Sequence, residues 1–241
     1  MEKRTKIWIY PFAIIGVALI LTISCKKTNN NNDSTPAPGT VTDIDGNIYH
    51  TVTIGTQTWM VENLKTTKYN DGTSIPLVAD SATWSNWTIP GYCWYNNEDA
   101  TYKNTFGALY NWYAVQTGKL APTGWHVPTD AELTILSTYL GGEAIAGGKM
   151  KSTGTIEAGT GLWDTPNKGA TNSSGFTAVP SGYRDIKGSF FCIGSNIYWW
   201  SSSEGIAVSA WLRNLTFDGS GVYSESYGKS FGFSVRCLRD F

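Results

Sequence analysis

The sequence is poor in the residues that build metal and hydrolytic centres. It has only two histidines, His50 and His126, too few for a histidine-rich metal cluster. Neither histidine lies near the Gly-x-Ser-x-Gly pattern of a nucleophile elbow. Charged residues make up 15% of the chain and the formal net charge is −1, so a surface for the phosphate backbone of a nucleic acid is not expected. We therefore expect no enzyme, no metal centre and no nucleic-acid partner.

An apolar run from residue 7 to residue 23 follows a basic start and stops at Cys25. This order is typical of a bacterial secretory signal in which the cysteine becomes the lipidated first residue. We predict a lipoprotein signal peptide over residues 1–24, lipidation of Cys25, and a membrane partner reached through that lipid. A plain transmembrane anchor is the alternative, because about 20 apolar residues span a bilayer.

Residues 25–40 carry lysine, asparagine, serine, threonine and proline and have almost nothing apolar to bury. Such a composition is typical of a flexible tether. The roughly 200 residues from 41 to 241 suffice for one sizeable core and are few for two domains. We predict one domain over residues 41–241, held in the bacterial cell envelope at the outer membrane.

Aromatic residues and glycines are plentiful, with 11 Trp, 13 Tyr and 26 Gly. Many rings together with many glycines favour short strands joined by long ordered loops, a pattern typical of extracytoplasmic binding or scaffold modules.

Three cysteines, Cys93, Cys192 and Cys237, remain once Cys25 is assigned to the lipid. An oxidising envelope would pair two of them and leave one over. Sequence alone does not give the connectivity. Cys93 with Cys237 is the first choice, because both lie in aromatic or strand-like surroundings, and three buried reduced thiols are the alternative.

Local patterns predict a hairpin and two helices. Alternating residues from Ile48 to Ile54, a glycine turn, and a second run from Trp59 to Leu64 predict a β-hairpin. Rings at helical spacing predict a short helix over Thr105–Val115. Thr129 with Glu132 forms a capping box ahead of leucines at 133, 136 and 140, which predicts a second helix that ends at two glycines.

Residues 65–104 lack a clean period and are predicted to form a long ordered loop region. After residue 143, glycines separate short strand-like pieces, so the predicted class is α+β. These pieces are Phe176–Val179, Tyr183-Arg184, Phe190-Phe191, Ile197–Ser201, Ala210–Thr216, Val222-Tyr223 and Phe231–Leu238.

Acidic residues at 43 and 45 resemble the start of a calcium-binding loop. An EF-hand loop needs a glycine at its sixth place and a glutamate at its twelfth, where this chain has Ile48 and Ile54. A turn ahead of the hairpin is therefore the favoured interpretation, and no cofactor is assigned.

Motifs along the whole domain resemble the Fibrobacter succinogenes major paralogous domain family, found as secreted and lipoprotein modules. The motifs are Asp45–Tyr49, Ile54–Met60, Glu62–Leu64, Tyr92–Asn97, Gly107–Val115, Gly124–Glu132, Ala146–Lys151, Ala170–Phe176, Pro180–Arg184, Trp199–Glu204 and Gly232–Cys237. Members of the family often carry a cysteine before the Gly-Trp-His motif, where this chain has residues 120–123 without one.

The resemblance implies a fold distantly similar to C-type lectin-like domains and formylglycine-generating enzymes. Two short helices, a twisted antiparallel sheet and long ordered loops would suit that fold. The reactive cysteine pair of formylglycine-generating enzymes is not matched by Cys237 alone. The family has no settled biochemical activity, so the fold transfers better than the function.

Two segments combine rings with oxygen-bearing side chains, as a direct or calcium-assisted sugar site requires. An aromatic core edge with solvated polar residues is the favoured interpretation of both segments, and a ligand site is the hypothesis weighed against it. An envelope-anchored module that binds carbohydrate or another surface ligand is the first functional hypothesis, and an adhesion or structural lipoprotein with a protein partner is the second. The candidate ligand-binding residues are Trp94, Asn96, Asn97, Asp99, Trp199 and Glu204.

Overall fold

The structure, a computed structural model, describes residues 39–240, which belong to one unit. The predicted signal peptide, Cys25 and the tether up to residue 38 lie outside the described residues, so these assignments stay predictions. Among residues 39–240, no helix is long and apolar enough to cross a membrane. The first strand begins at Thr40, one residue before the predicted start of the domain.

The described residues hold twelve strands and five α-helices. The strands are β1 (Thr40–Thr42), β2 (Ile48–Ile54), β3 (Gln57–Met60), β4 (Tyr92–Cys93), β5 (Leu109–Tyr110), β6 (Trp125–His126), β7 (Ser181–Arg184), β8 (Phe190–Ile193), β9 (Asn196–Ile206), β10 (Ser209–Thr216), β11 (Tyr223–Gly228) and β12 (Leu238–Arg239). The helices are α1 (Ser81–Ser85), α2 (Asp99–Phe106), α3 (Trp112–Val115), α4 (Asp130–Tyr139) and α5 (Glu143–Met150), with a 3-10 turn over Tyr95–Asn97.

Two five-stranded sheets and one two-stranded sheet organise the described residues. The first sheet has the order β1-β2-β3-β12-β6 and the second β11-β10-β9-β7-β8, while β4 pairs with β5. Neighbouring strands are antiparallel except β7 and β9, which pair in parallel through Gly182 and Ile197. The content is mixed helix and sheet, compatible with the predicted α+β class.

The core lies on both faces of the second sheet. Adjacent side chains on β9 point to opposite faces, as the pleat requires. Trp199 enters a cluster with the leucines of α4, and Trp200 enters a cluster with Tyr110 and Leu212. Trp199 is 2% exposed and Trp200 is fully buried. Both faces of this strand are therefore core.

The hairpin and the capped helix are confirmed, although the second strand of the hairpin covers Gln57–Met60 and not the predicted run from Trp59 to Leu64. Strands β2 and β3 pair from Thr51 opposite Met60 to Ile54 opposite Gln57. The Thr129 hydroxyl accepts from the Glu132 amide while the Glu132 carboxylate accepts from the Thr129 amide, so the capping box closes ahead of α4. The leucine stripe of α4 is buried, with Leu136 1% exposed.

The predicted helix over Thr105–Val115 is wrong. Helix α2 ends at Phe106, and its C-cap Gly107 has φ +78°, a conformation that glycine adopts without strain. A Cβ on Gly107 would lie 2.8 Å from the Leu64 carbonyl oxygen. The chain then forms β5 against β4 and only afterwards turns into α3. Of the rings in this segment, those of Tyr110 and Trp112 are buried in the core, while those of Phe106 and Tyr113 are only partly buried.

Several other boundaries differ from the sequence prediction. The described residues contain more than two helices, since α1 and α2 lie in the predicted loop region and α5 follows α4. The predicted strand Phe231–Leu238 is reduced to bridges at residues 232–234 followed by β12, and Phe176–Val179 forms no strand. Strand β12 nevertheless lies inside the first sheet, between β3 and β6.

Candidate functional site

Neither of the two tryptophans in the predicted ligand set presents a ring to solvent. Trp94 is 5% exposed and belongs to the cluster around Tyr110. Trp199 belongs to the other large cluster, and its indole Nε1 donates to Oδ1 of Asn63 at 2.9 Å. Both rings are buried, as the favoured interpretation of an aromatic core edge requires, and a ligand-binding role for these residues stays a prediction.

The polar members of that set are exposed. Asn96, Asn97 and Asp99 lie on the surface, and Asn97 donates its side-chain amide to the Ala79 carbonyl. Glu204 pairs with Lys229, whose ammonium lies 4.7 Å from the Trp112 ring centre. The structure thus provides exposed polar atoms at these positions without the aromatic surface predicted beside them.

Both histidines are held by carboxylates. His50 Nδ1 lies 2.6 Å from Glu62 Oε1 on an exposed part of the first sheet. His126 lies between two carboxylates, with Nδ1 2.6 Å from Asp240 and Nε2 3.0 Å from Glu132. With both ring nitrogens engaged, His126 links β6, α4 and the end of β12.

The predicted disulfide between Cys93 and Cys237 is not formed. All three cysteines of the described residues are free. Cys93 lies in a small cluster with Trp84 and Leu109, whereas Cys237 lies in the cluster around Tyr110. Because the two thiols are buried in different parts of the core, the alternative of reduced thiols is the one this structure shows.

The Asp43 region is a turn, as the sequence favours. Oδ1 of Asp43 accepts from the amides of Asp45 and Asn47, and Oδ2 accepts from Asn47 Nδ2 and from the Tyr49 hydroxyl at 2.6 Å. These bonds occupy the carboxylate that a calcium loop would have offered. No cluster of three or more metal-ligating side chains occurs within residues 39–240.

An open recess of about 400 Å³ lies where three separate segments meet. We call it the Tyr223 recess, after its one aromatic lining residue. It is formed by the start of α5, by Lys168, and by the loop that joins β10 to β11. Its lining residues are Glu143, Ala144, Lys168, Asp218, Gly219, Ser220, Gly221, Val222 and Tyr223.

Glycine contacts bring these segments together. A Cβ on Gly147 would lie 2.1 Å from the Gly221 carbonyl oxygen, and one on Gly148 would lie 2.3 Å from the Gly169 carbonyl oxygen. The amide of Gly148 donates to the Ser220 carbonyl at 2.8 Å. Two adjacent glycines in α5 thus allow two loops to pack directly on the helix backbone.

The charged side chains of the Tyr223 recess face solvent and are not held in salt bridges by the described residues. Glu143, Lys168 and Asp218 are exposed and form no salt bridge with any residue between 39 and 240. Tyr223 is 46% exposed. The recess therefore presents carboxylate oxygens, an ammonium group, a hydroxyl and a ring to solvent.

Lys151 lies behind the loop of the recess and is fully buried. Its ammonium donates to the carbonyl oxygens of Thr216 at 3.0 Å and Gly219 at 2.8 Å, and lies 5.2 Å from the Trp163 ring centre. Burial lowers the pKa of Lys151 to about 8, while the Asp218 carboxylate opposes that shift.

A second surface groove, of about 300 Å³, differs in chemistry. Its walls include Tyr69, Pro76 and Ile89. Its two charged residues, Asp71 and Lys119, pair with each other at 2.9 Å. Because these charges already satisfy one another, this groove offers a ligand fewer unpaired polar groups than the Tyr223 recess does.

The sequence of the domain, compared with protein-family models, matches the Fibrobacter succinogenes major domain over residues 52–239. The chain belongs to this family. No curated protein and no solved structure is significantly similar to it. The Fibrobacter succinogenes major domain in this chain spans all the segments that form the Tyr223 recess, since each lies between residues 52 and 239.

Sequence reasoning did not find the recess of this Fibrobacter succinogenes major domain. The Ala146–Lys151 motif was noticed for its resemblance, but the contacts of its glycines with residues 169 and 221 are not visible in a linear sequence. One signal was available. Glycine within a helix lowers its stability relative to alanine, so a pair of glycines at 147 and 148 points to a packing reason.

Proposed function

We propose that the chain is an envelope-anchored, non-catalytic module that binds carbohydrate in the Tyr223 recess. The observation that carries this proposal is the set of unpaired polar groups around an exposed ring. Sugar hydroxyls donate to carboxylates and accept from ammonium groups, so Glu143, Asp218 and Lys168 can all be satisfied by one polyhydroxylated ligand. The Tyr223 ring supplies a flat apolar surface for the C–H face of a sugar.

A C-type lectin-like arrangement of the domain is part of the same proposal. The first strands of the domain and its last strand share one sheet, in which β12 lies between β3 and β6. The second sheet and its loops then carry the exposed recess. An experimental structure in which β12 lies at a sheet edge, away from β3, would contradict this arrangement.

An adhesion or structural lipoprotein with a protein partner is the second candidate. Exposed aliphatic side chains at the turn between β9 and β10 favour it, since Ile206 is 65% exposed and Val208 is 70% exposed. Exposed apolar groups of this kind contribute to protein contacts when they lie together. Crosslinking in the envelope, with Ile206→Ser as the variant, distinguishes this candidate from glycan binding.

A glycan array probed with the full chain in detergent tests the first proposal. Wild-type protein is expected to be retained on at least one polysaccharide of the array. The Tyr223→Ala variant is expected to lose most of that retention. Tyr139→Ala is the matched control, because Tyr139 is an exposed tyrosine, 65% accessible, on α4 and not in the recess. Equal retention by Tyr223→Ala and Tyr139→Ala would refute the assignment of the site.

Charge variants refine the test. Glu143→Gln and Asp218→Asn remove an acceptor charge but keep the shape of the side chain, so each is expected to weaken retention without unfolding the protein. Asp99→Asn is the control, because it lies in the loop predicted from the sequence and outside the recess. If only Asp99→Asn lost retention, the binding site would be assigned to the Trp94–Asp99 segment instead.

Anchoring in the envelope is proposed from the run that ends at Cys25. A lipid chain contributes about 0.8 kcal/mol per buried methylene, and two or more chains anchor stably. Cys25→Ala is expected to abolish incorporation of labelled palmitate and to release the domain from the membrane fraction. Unchanged labelling of Cys25→Ala would overturn lipidation at this residue and leave a transmembrane anchor as the explanation.

A further inference from the structure

The loop over residues 216–221 forms one wall of the Tyr223 recess, and most of its ties to the rest of the domain are backbone bonds. The Ser220 carbonyl accepts from the Gly148 amide, and the Phe217 carbonyl accepts from the Lys168 amide at 2.7 Å. The Ser220 hydroxyl donates to the Ala144 carbonyl at 3.2 Å. These bonds hold the outer side of the loop against α5 and residue 168.

On its inner side, the loop is hydrogen-bonded by one side chain, that of Lys151. The Lys151 ammonium bonds the carbonyls of Thr216, at the start of the loop, and Gly219, in its middle. A charged donor forms hydrogen bonds roughly twice as strong as a neutral one. The same charge interacts with the Trp163 ring, a contact that a neutral amine lacks.

The geometry points to Lys151 as a positioning residue whose ammonium charge fixes the ligand-binding loop of the Tyr223 recess. This inference rests on the proposed function and adds a means of regulating the same site, because loss of the Lys151 proton loosens the two carbonyl contacts. Lys151 has no access to solvent and does not line the recess. It acts through the positions of Gly219 and its neighbours, which line the recess.

The segments that form the recess carry further charged residues. Asp218 lies on the loop itself, Glu143 and Lys149 lie on α5, and Lys168 lies on the adjoining segment. Of these, the Asp218 carboxylate acts on Lys151 and favours its charged form, while burial disfavours that form and dominates, so the pKa of Lys151 falls to about 8. The ammonium therefore prevails at neutral pH and is lost in mildly alkaline solution.

Backbone amide resonances of the full chain in detergent test the inference without any ligand. The ¹H–¹⁵N signals of Gly219 and Ser220 are expected to shift with pH with a midpoint near 8 in the wild type. In Lys151→Arg the same signals are expected to stay constant over this range, because the guanidinium remains charged. The Gly46 amide, which lies in the turn before β2, is the internal control.

Each outcome is decisive. Absence of a titration near pH 8 at Gly219 and Ser220, or an unchanged titration in Lys151→Arg, would overturn the role of Lys151. Lys151→Met is expected to place both signals near their alkaline positions at every pH; if that variant does not fold, the wild-type titration decides alone. Because no ligand is used, failure here is separate from failure of the glycan array, which would instead remove carbohydrate binding.

Discussion

Oδ1 of Asn63 accepts two hydrogen bonds from the far end of the chain, one from the Trp199 indole and one from the Arg236 guanidinium, each at 2.9 Å. Its amide nitrogen donates to the Phe106 carbonyl at 2.9 Å. Asn63 is 3% exposed. One short side chain after β3 thus links the first sheet, the second sheet and the segment that ends α2.

Replacement of Asn63 should therefore be costly. Asn63→Leu leaves the buried Trp199 N–H and one Arg236 N–H without an acceptor, and an orphaned buried group costs about 1 to 3 kcal/mol. We expect a loss of about 2 to 4 kcal/mol in the free energy of unfolding, measured with urea. Asn104→Ala, at an exposed position of α2, should change it by about 0.5 kcal/mol or less. Similar midpoints for the two variants would contradict the role of Asn63.

Arg236 shows why such residues resist prediction from sequence. It is 1% exposed, it bonds the Phe176 carbonyl and Asn63, and its guanidinium lies 4.3 Å from the Phe176 ring centre. Burial lowers its pKa to about 9. A sequence pattern marks an arginine in a terminal strand as a surface residue, whereas rings and carbonyls from distant segments enclose this one.

Local signals were sufficient where one segment determines its own structure. The capping box at Thr129 and Glu132 fixes the start of α4 through contacts three residues apart, and the turn between β2 and β3 follows from the glycine at 55. Burial of Trp94 and Trp199 depends instead on what covers each ring. The Tyr223 recess needs three segments more than 20 residues apart, so the site is not visible in the sequence, whereas a buried aromatic core edge was already an interpretation of the two ring-bearing segments.

Alanine substitution in the glycine pair of α5 is predicted to lower stability, whereas it usually raises the stability of a helix. In an exposed helix interior, replacing glycine with alanine stabilises by up to about 1 kcal/mol. Gly147→Ala should instead destabilise by about 1 to 3 kcal/mol, because its Cβ would meet the Gly221 carbonyl, a backbone atom that cannot rotate away. Gly228→Ala is the control, since its nearest neighbour would lie at 3.7 Å. The unfolding temperatures of both variants test this prediction. A Gly147→Ala protein that unfolds at a higher temperature than wild type would refute the contact.

The cysteines give a chemical test of the core. Burial raises the pKa of Cys93 to about 12 and also raises the pKa of Cys237, and only the thiolate reacts readily. In the folded protein at pH 8, iodoacetamide should modify Cys192, which is partly exposed, well before the other two. In urea without reductant, all three should be alkylated. A Cys93–Cys237 crosslinked peptide in an unreduced digest would contradict the free thiols seen here.

The carboxylate of Glu132 predicts how stability changes in acid. Burial alone would raise its pKa, but the hydrogen bonds from Thr129 and the contact with His126 outweigh burial, so the pKa lies below the usual 4.5. The ionised form is therefore favoured by folding, and its contribution is fully present above about pH 4.5 and is lost as the pH falls through the lower folded value.

Glu132→Gln tests this dependence, because it keeps the shape of the side chain and removes the titration. Wild type should be more stable than Glu132→Gln at pH 7, and the difference should shrink as the pH is lowered from 5 to 3, as measured by urea midpoints of the two proteins. Glu98→Gln, at an exposed position ahead of α2, is the matched exposed control and should change the urea midpoint little at pH 7. A constant gap between wild type and Glu132→Gln over this range would show that the capping carboxylate is not preferentially ionised in the folded state.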